Sequence, residues 1–308
     1  EPRNLLETFA KALRLSLISF GFSEVVTYSM INRKHAELCL DGKEVVELTN
    51  PITEEMSCLR PSLIPGLLNV VRWNINRNIK NLKIFEIGNV FRTKNGSDIL
   101  ETTKVAGALT GLDSEENWAV KPKPVDFYDV KGCIEALFKR NFITHWHFVP
   151  HQSHLTERQT LGIEIDKLYS GFFGNLKEEL VEKFDIGQPV FVFELDFEML
   201  QNAVNWHRIY SQIPKYPAIK RDIAIVVNNK IDADNIEQVI RINGGKLLQN
   251  VRLFDVYVGE QVGSGLKSLA FSLTFYSLEG TLTEKKVDSQ IKVILEALNK
   301  KYSARLRE

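Results

Sequence analysis

The chain predicts an α+β fold in two parts, an antiparallel-sheet core followed by a small βαββαβ domain. A length of 308 residues suggests about two domains. Strand-like runs follow one another with few helices between them through most of the chain. That pattern argues for an antiparallel sheet with helices on one side rather than a doubly wound parallel sheet. The last part reads strand, helix, hairpin, helix, strand. The expected division is a core over 1–201, a linker over 202–220 and a second domain over 221–308.

Residues 3–20 place Leu6, Phe9, Leu13, Leu17 and Phe20 at helical spacing and stop at Gly21. A short strand over Glu24–Ser29 follows. Pro61 suits the first turn of a helix running to about Asn78. Leu63, Ile64, Leu67, Leu68, Val70, Val71, Trp73 and Ile75 go most of the way round it. A helix apolar on nearly all sides is buried on more than one face, either inside a core or between a core and a partner subunit. Strands are expected at Leu82–Ile87, Val90–Thr93 and Lys104–Thr110. A helix over Phe127–Arg140 follows, then strands at Trp146–Val149, Thr160–Ile165, Gly171–Leu176 and Val190–Leu195. Residues 202–220 contain Pro214 and Pro217 and lose periodicity, as a linker does.

The final part opens with a strand over Arg221–Val227. A helix over Asp232–Ile242 follows, with Asp232 as N-cap. Strands Val251–Val258 and Lys267–Tyr276 form a hairpin. A long helix starts at Thr283, and Ser303–Leu306 supplies a fourth strand. The order is the ferredoxin-like plan, with both helices on one face of the sheet and the other face open.

Hydrophobic residues at 44% suffice for a buried core. No window approaches the roughly 18 apolar residues of a membrane span, and no secretory signal pattern opens the chain. Glu1 in place of Met predicts a segment of a longer protein. Cys39, Cys58 and Cys133 are scattered, without CxxC spacing, which predicts reduced core thiols in a cytoplasmic setting rather than a disulfide or zinc frame. Net charge is zero, but from Lys215 onward 15 Lys and Arg face 11 Asp and Glu. A basic bias of that sort is compatible with a nucleic-acid partner and also with chance.

Period-two reading of the hairpin puts Phe254, Val256, Val258, Leu269, Phe271, Leu273 and Phe275 under the helices. Asp255, Tyr257, Ser268, Ala270, Ser272, Thr274 and Tyr276 then face outward. Aromatics among small polar residues on an open sheet are how RNA-binding modules stack unpaired bases. Asp255 suits the N1–H and N2–H₂ donors of guanine. An ordinary solvated sheet face gives the same pattern.

The remaining motifs are weaker. His145, His147, His151 and His154 cluster in HWHFVPHQSH, but no Cys or paired carboxylate completes a metal set, and a polar strand face explains them equally. GEQVGSG at 259–265 lacks the spacings of phosphate-binding loops, and no GxSxG is present. Glu194 and Asp196 end a strand, as either a carboxylate pair or two solvated acids. None of these makes a self-sufficient active site.

YPAIKRDIAIVV (216–227), LFDVYVG (253–259), GLKSLAFSLTF (265–275) and TLTEKKV (281–287) resemble the anticodon-binding domain of the bacterial phenylalanyl-tRNA synthetase beta-chain family. GFSEVVTYSM (21–30), NPITEEMSCLRPSLIPGLLNVVRWNINR (50–77) and IFEIGNVF (84–91) resemble the same family's class II synthetase-like core. The resemblance covers nearly the whole chain in the family's order. It implies a catalytically inert core, with no catalytic residues and no cofactor in this segment, while the complete enzyme uses ATP and Mg²⁺. The sequence agrees, since EIGNVFR offers only Arg92 and GFFGNLKEEL (171–180) has no arginine for ATP.

It further implies assembly with an alpha subunit as an (αβ)₂ heterotetramer. The helix after Pro61 would lie at the subunit interface through Leu63, Leu67 and Val71. The family reads the anticodon of phenylalanine tRNA, notably its first base, a guanine. The implied stacking residue is Tyr257, with polar contacts from Asp255 and Ser268. Where the family usually has Arg before TLT, this chain has Gly280, which implies loss of a backbone contact to tRNA. The family's tRNA-binding OB module, editing module and the domain before the core are not matched, so the segment is expected neither to edit nor to aminoacylate alone. Two other classes stay in view: a free-standing RNA-binding protein on a retired synthetase core, and an active ligase or metal hydrolase using the histidines.

Overall fold

The computed structural model describes residues 5–40, 45–94, 98–206, 210 and 212–307. The chain divides into two compact units, Glu1–Arg208 and Ile209–Glu308. Of the expected linker over 202–220, residues 207–209 and 211 lie outside the described residues.

Unit 1 opens with α1 (Leu5–Ser19), β1 (Ser23–Glu24), β2 (Met30–Ile31), α2 (Arg33–Glu37), β3 (Cys58–Leu59) and α3 (Ile64–Ile75). The long hairpin β4 (Leu82–Lys94) and β5 (Asp98–Thr110) follows, then α4 (Phe127–Arg140). It closes with β6 (Trp146–Pro150), β7 (Thr156–Ile165), β8 (Leu168–Leu176), α5 (Glu178–Lys183), β9 (Val190–Asp196) and α6 (Phe197–Asn202). Seven strands form one sheet in the order β1-β4-β5-β9-β8-β7-β6, antiparallel except for the short β1–β4 pair, while β2 and β3 pair separately.

The sheet is covered on both faces, not on one as expected. Adjacent residues go to opposite cores. Phe85, Val105, Leu109 and Phe193 pack with α1, α4 and α6, whereas Ile84, Ala106, Ala108 and Val192 pack with α3 and α5. Continuous apolar runs, rather than alternation, mark a sheet buried on both sides. The strands expected at Leu82–Ile87 and Val90–Thr93 are one strand, because Gly88 and Asn89 stay in register with Lys104 and Thr103. Gly88 gives room to Arg60, whose Nη2 would lie 2.5 Å from an added Cβ. The strand expected over Glu24–Ser29 is reduced to Ser23–Glu24. From there the chain turns to place Thr27 in a buried network. Arg60 Nη1 donates to Glu86 Oε1 at 2.7 Å and to Thr27 Oγ1 at 2.9 Å, and Thr27 Oγ1 donates to Glu86 Oε2 at 2.7 Å.

Helix α3 begins at Ile64 rather than Pro61, with Pro65 in its first turn. Its start is held by Glu194, whose Oε1 accepts from Ser62 Oγ and from Leu63 N, each at 2.8 Å. A carboxylate beside unpaired N–H groups at a helix start is favourable. Leu63, Leu67 and Val71 are each fully buried against this chain's own sheet. These three side chains, expected at a subunit interface, are spent on the chain's own core. The breadth of the apolar surface reflects close seating on β4, β5 and β9, while on the opposite side of the helix Val70 is half-buried and Trp73 exposed. Gly66 lets the segment after β1 come close to the helix, since a Cβ there would come 2.4 Å from Thr27 Oγ1.

Unit 2 contains β10 (Ile219–Asn228), α7 (Ala233–Asn243), β11 (Leu248–Tyr257), β12 (Leu266–Phe275), α8 (Glu284–Tyr302) and β13 (Arg305–Leu306). Its sheet has the order β11-β12-β10-β13, all antiparallel. Ile236, Val239 and Ile240 from α7 and Val287, Ile294 and Leu298 from α8 pack on Ile223, Ile225, Leu269, Phe271 and Leu273. The expected βαββαβ order is the one observed, with helices on one face.

One expectation fails inside β11. Phe254, Val256 and Val258 are 50%, 52% and 61% exposed instead of lying under the helices. For Phe254 a β-bulge is the cause, whereas Val256 and Val258 lie at and beyond the end of the strand. Leu253 pairs with Phe271 and Asp255 with Ala270, so Phe254 is an extra residue without a partner. The bulge leaves Leu253 on the core and turns both Phe254 and Asp255 outward. Val256 returns to the helix side opposite Leu269, near the strand end.

Candidate nucleic-acid interface

The open face of unit 2 is built by alternate residues of four strands. Tyr257 sits opposite Ser268, which sits opposite Val226, and Asp255 sits opposite Ala270, which sits opposite Ala224. Directly opposed residues share a face, so Tyr257, Asp255 and Ser268 are brought to one side of the sheet. Tyr257 does not stand up from it alone. Its phenol lies along Gly259, where an added Cβ would meet the hydroxyl oxygen at 2.6 Å. From the far edge of the sheet, the Arg307 guanidinium lies 4.8 Å from the ring centroid. Arg307 is fixed by its N–H to Ala224 O at 2.9 Å and by Nη2 donating to Gln261 Oε1 at 3.0 Å. Ser268 is only 3% exposed, and Ala270 and Val226 are buried near it. Asp255 is exposed.

A second part of the same face lies toward the other end of β11. Lys220, Asp222, Asn250, Arg252, Phe254, Ser272 and Thr274 surround a cavity of about 300 Å³. The loop GEQVGSG is a single 3₁₀ turn, Glu260–Val262, tucked under by the buried side chain of Val262. Gly263 and Gly265 follow at φ +93° and +75°, conformations that favour glycine. It connects β11 to β12. Gly280 has no heavy atom within 4 Å of a would-be Cβ, so an arginine there would meet open space.

Arg307, Gly259 and Phe254 are absent from the sequence-based site. Arg307 was legible in part, since alternation through Arg305–Leu306 puts it on the Tyr257 side. Phe254 was not, because a bulge carries no composition signal.

In unit 1 the histidines do not converge, and among the described residues no group of three or more His, Cys, Asp or Glu is arranged to hold a metal. His151 stacks on Tyr169 with centroids 5.0 Å apart, and burial holds its pKa below the ordinary histidine value. His145 is exposed and 3.9 Å from Asp166. Glu194 and Asp196 are not a carboxylate pair. Glu194 holds the start of α3, whereas Asp196 caps α6 through Met199 N at 3.0 Å and pairs with Lys104 at 2.9 Å. Arg92 reaches the carbonyl of Pro61 at 3.4 Å. Burial pushes the Cys133 thiol up to about 12 and raises Cys39 further, so both are protonated core groups. A groove of about 880 Å³ runs between the Val26–Asn32 segment and the outer side of α3. Val26, Tyr28 and Trp73 line it while strongly exposed, and the buried Oδ1 of Asn69 has no hydrogen-bond partner.

A ferredoxin-fold sheet with one open, aromatic-bearing face and a basic tail across it defines an RNA-recognition class of module. Residues 214–307 match the ferredoxin-fold anticodon binding domain, and residues 1–197 match the phenylalanyl tRNA synthetase beta chain CLM domain. The chain belongs to the phenylalanyl-tRNA synthetase beta-chain family and corresponds to its C-terminal part. It is 39% identical to the phenylalanine–tRNA ligase beta subunit of Bacillus subtilis over 301 residues, covering 96% of this chain and 37% of that one. The Vibrio cholerae beta subunit is 35% identical over 306 residues, with 97% and 38% covered. The chain thus spans little more than a third of the length of these relatives. Among solved structures, a pyrrolysyl tRNA synthetase from Desulfitobacterium hafniense superposes with a TM-score of 0.50 at 22% identity, over 63% of this chain and 65% of that one. That likeness is one of fold.

Proposed function

We propose that this chain is the tRNA-reading and subunit-docking part of a phenylalanine–tRNA ligase beta subunit. The carrying observation is the shared face of Tyr257 and Asp255, crossed by Arg307, within a domain that matches an anticodon-binding family. A base that stacks on Tyr257 takes the place of the Arg307 guanidinium, which is then free to meet the phosphate of the same nucleotide. Opening that pair also uncovers Ser268, so stacking and polar reading are linked in one movement. Asp255, exposed beside it, accepts from N1–H and N2–H₂ of a guanine, a geometry that adenine cannot match.

Unit 1 supplies no catalysis in this reading. Its groove lined by Val26, Tyr28, Val70 and Trp73 docks the alpha subunit, within an (αβ)₂ assembly in the cytoplasm. ATP and Mg²⁺ are used by the complete enzyme, outside this segment. Exposed apolar side chains grouped along a groove are the surface such docking needs.

The test is binding of an anticodon stem-loop RNA from phenylalanine tRNA, followed by fluorescence anisotropy. Tyr257→Ala should weaken binding by ~1–3 kcal/mol, the worth of one stacked base, with an unchanged melting temperature. Asp255→Ala should narrow the difference between loops carrying guanine and adenine at the first anticodon position. Equal losses on both loops, or no loss with Tyr257→Ala, would overturn the assignment.

A further inference from the structure

The bulge in β11 does more than correct a register. It brings Phe254, in step with Arg252, to the same face of the sheet as Asp255 and Tyr257, which unbroken alternation along the strand would not do. Phe254 is 50% exposed and lines the cavity of about 300 Å³ with Arg252, Lys220, Asp222 and Thr274. Register confirms the shared face, since Arg252, Ser272 and Asp222 lie in one row across three strands and Asn250, Thr274 and Lys220 in the next.

The charges around the ring are not spent on the protein. Among the described residues, Lys220 and Arg252 make no ion pair, whereas Arg221, one residue along β10 and on the helix side, reaches Glu284 at 3.3 Å and Asp288 at 3.7 Å. Two unpaired cations flanking an exposed aromatic ring have the composition of a single-stranded nucleic-acid subsite. Asp222 is the one acid in the cavity and would accept from the edge of a base rather than meet a phosphate.

We propose that Phe254, with Arg252 and Lys220, forms a second nucleotide subsite for the loop nucleotide adjoining the one on Tyr257. The proposal rests on the anticodon-binding reading above and extends it from one base to two. Phe254 and Tyr257 are three residues apart, but the bulge sets Phe254 and Asp255 against one partner, so at ~3.4 Å per paired residue they lie about 7–9 Å apart along the sheet. That spacing is too wide for two bases stacked on each other at about 3.4 Å, and it suits neighbours splayed apart, as unpaired RNA is when a protein reads it. The phosphate on the side of this nucleotide away from Tyr257 passes over Arg252, and Ser272 and Thr274 offer hydroxyls beneath.

The experiment uses the chain and stem-loop probes with a single abasic nucleotide at each loop position in turn. Phe254→Ala should weaken binding to the intact loop by about 5- to 140-fold, the range for one base–aromatic stack. Phe254→Tyr, which keeps a ring, should restore most of it. The loss should vanish on the probe abasic at a position next to the first anticodon base and persist on the probe abasic at that base itself. Arg252→Gln and Lys220→Gln should each flatten the dependence of log K on log salt by ~0.7, as loss of one single-strand phosphate contact does. If Tyr257→Ala weakens binding and Phe254→Ala does not, the second subsite is overturned and the first stands. If the wild-type chain fails to bind the loop, the anticodon reading itself falls, and this subsite with it. Loss of subunit assembly by Phe254→Ala with RNA affinity unchanged would assign the ring to a protein contact and sink the proposal.

Discussion

In the seven-stranded sheet, neighbouring residues such as Ile84 and Phe85, or Val192 and Phe193, are both buried, because helices lie on each side. In the four-stranded sheet, Phe271, Leu273 and Phe275 are buried under helices, while Ser272 and Thr274 between them are only half covered. The first sheet contributes stability and the second keeps a surface in reserve. Polar groups follow the same division. In unit 1 they are locked into the Arg60–Glu86–Thr27 network or spent on helix starts, as Glu194 is on α3. In unit 2 Asp255, Arg252 and Lys220 stay unpaired among the described residues, and a ligand can use them.

The contrast can be broken most forcefully inside unit 1. Glu86→Ala leaves the Arg60 guanidinium buried without its carboxylate, at side-chain exposures of 4% and 2% for the pair. Removing one partner of such a pair should destabilise the unit by about 3–5 kcal/mol, read as a shift in the urea midpoint. A loss under about 1 kcal/mol would mean that water reaches the network.

Next comes the question of which side of α3 serves the fold. Leu67→Ala should cost ~2–5 kcal/mol through the cavity it leaves. Trp73→Ala, at 55% exposure with Arg77 stacked 3.6 Å above its ring, should cost within about 1 kcal/mol yet weaken co-purification with an alpha subunit. The reverse ranking would return the interface to the buried side.

The smallest effect belongs to unit 2. Gly280→Arg enters open space, so melting should move within about 0.5 kcal/mol. If the added charge reaches the RNA backbone, the salt slope of loop binding should steepen by ~0.7. An unchanged slope would show that position 280 lies away from the RNA.

The helical stripes were legible from spacing. Val287, Ile294 and Leu298 on α8 are where periodicity put them, and the βαββαβ order followed from the pattern of elements. Asp255 and Tyr257 were turned outward by alternation, and so they are, although a bulge lies just before them. Two points that spacing left undecided share a physical root. α3 looked like an interface helix because its apolar residues go most of the way round, but the sequence does not say which neighbour covers them. Phe254 looked buried because alternation assumes an unbroken ladder, and one extra residue reverses the assignment for all that precede it.

Local periodicity and turn chemistry therefore determined the elements, their order and the residue types on each face, since these depend on neighbours within a few positions. Only the tertiary structure decided that Arg307 closes over Tyr257 from the opposite edge of the sheet, that Glu194 anchors α3 from 131 residues away, and that Phe254 faces solvent. Each of these depends on strand register or on contacts between distant segments, which hydrophobic spacing along a single chain does not encode.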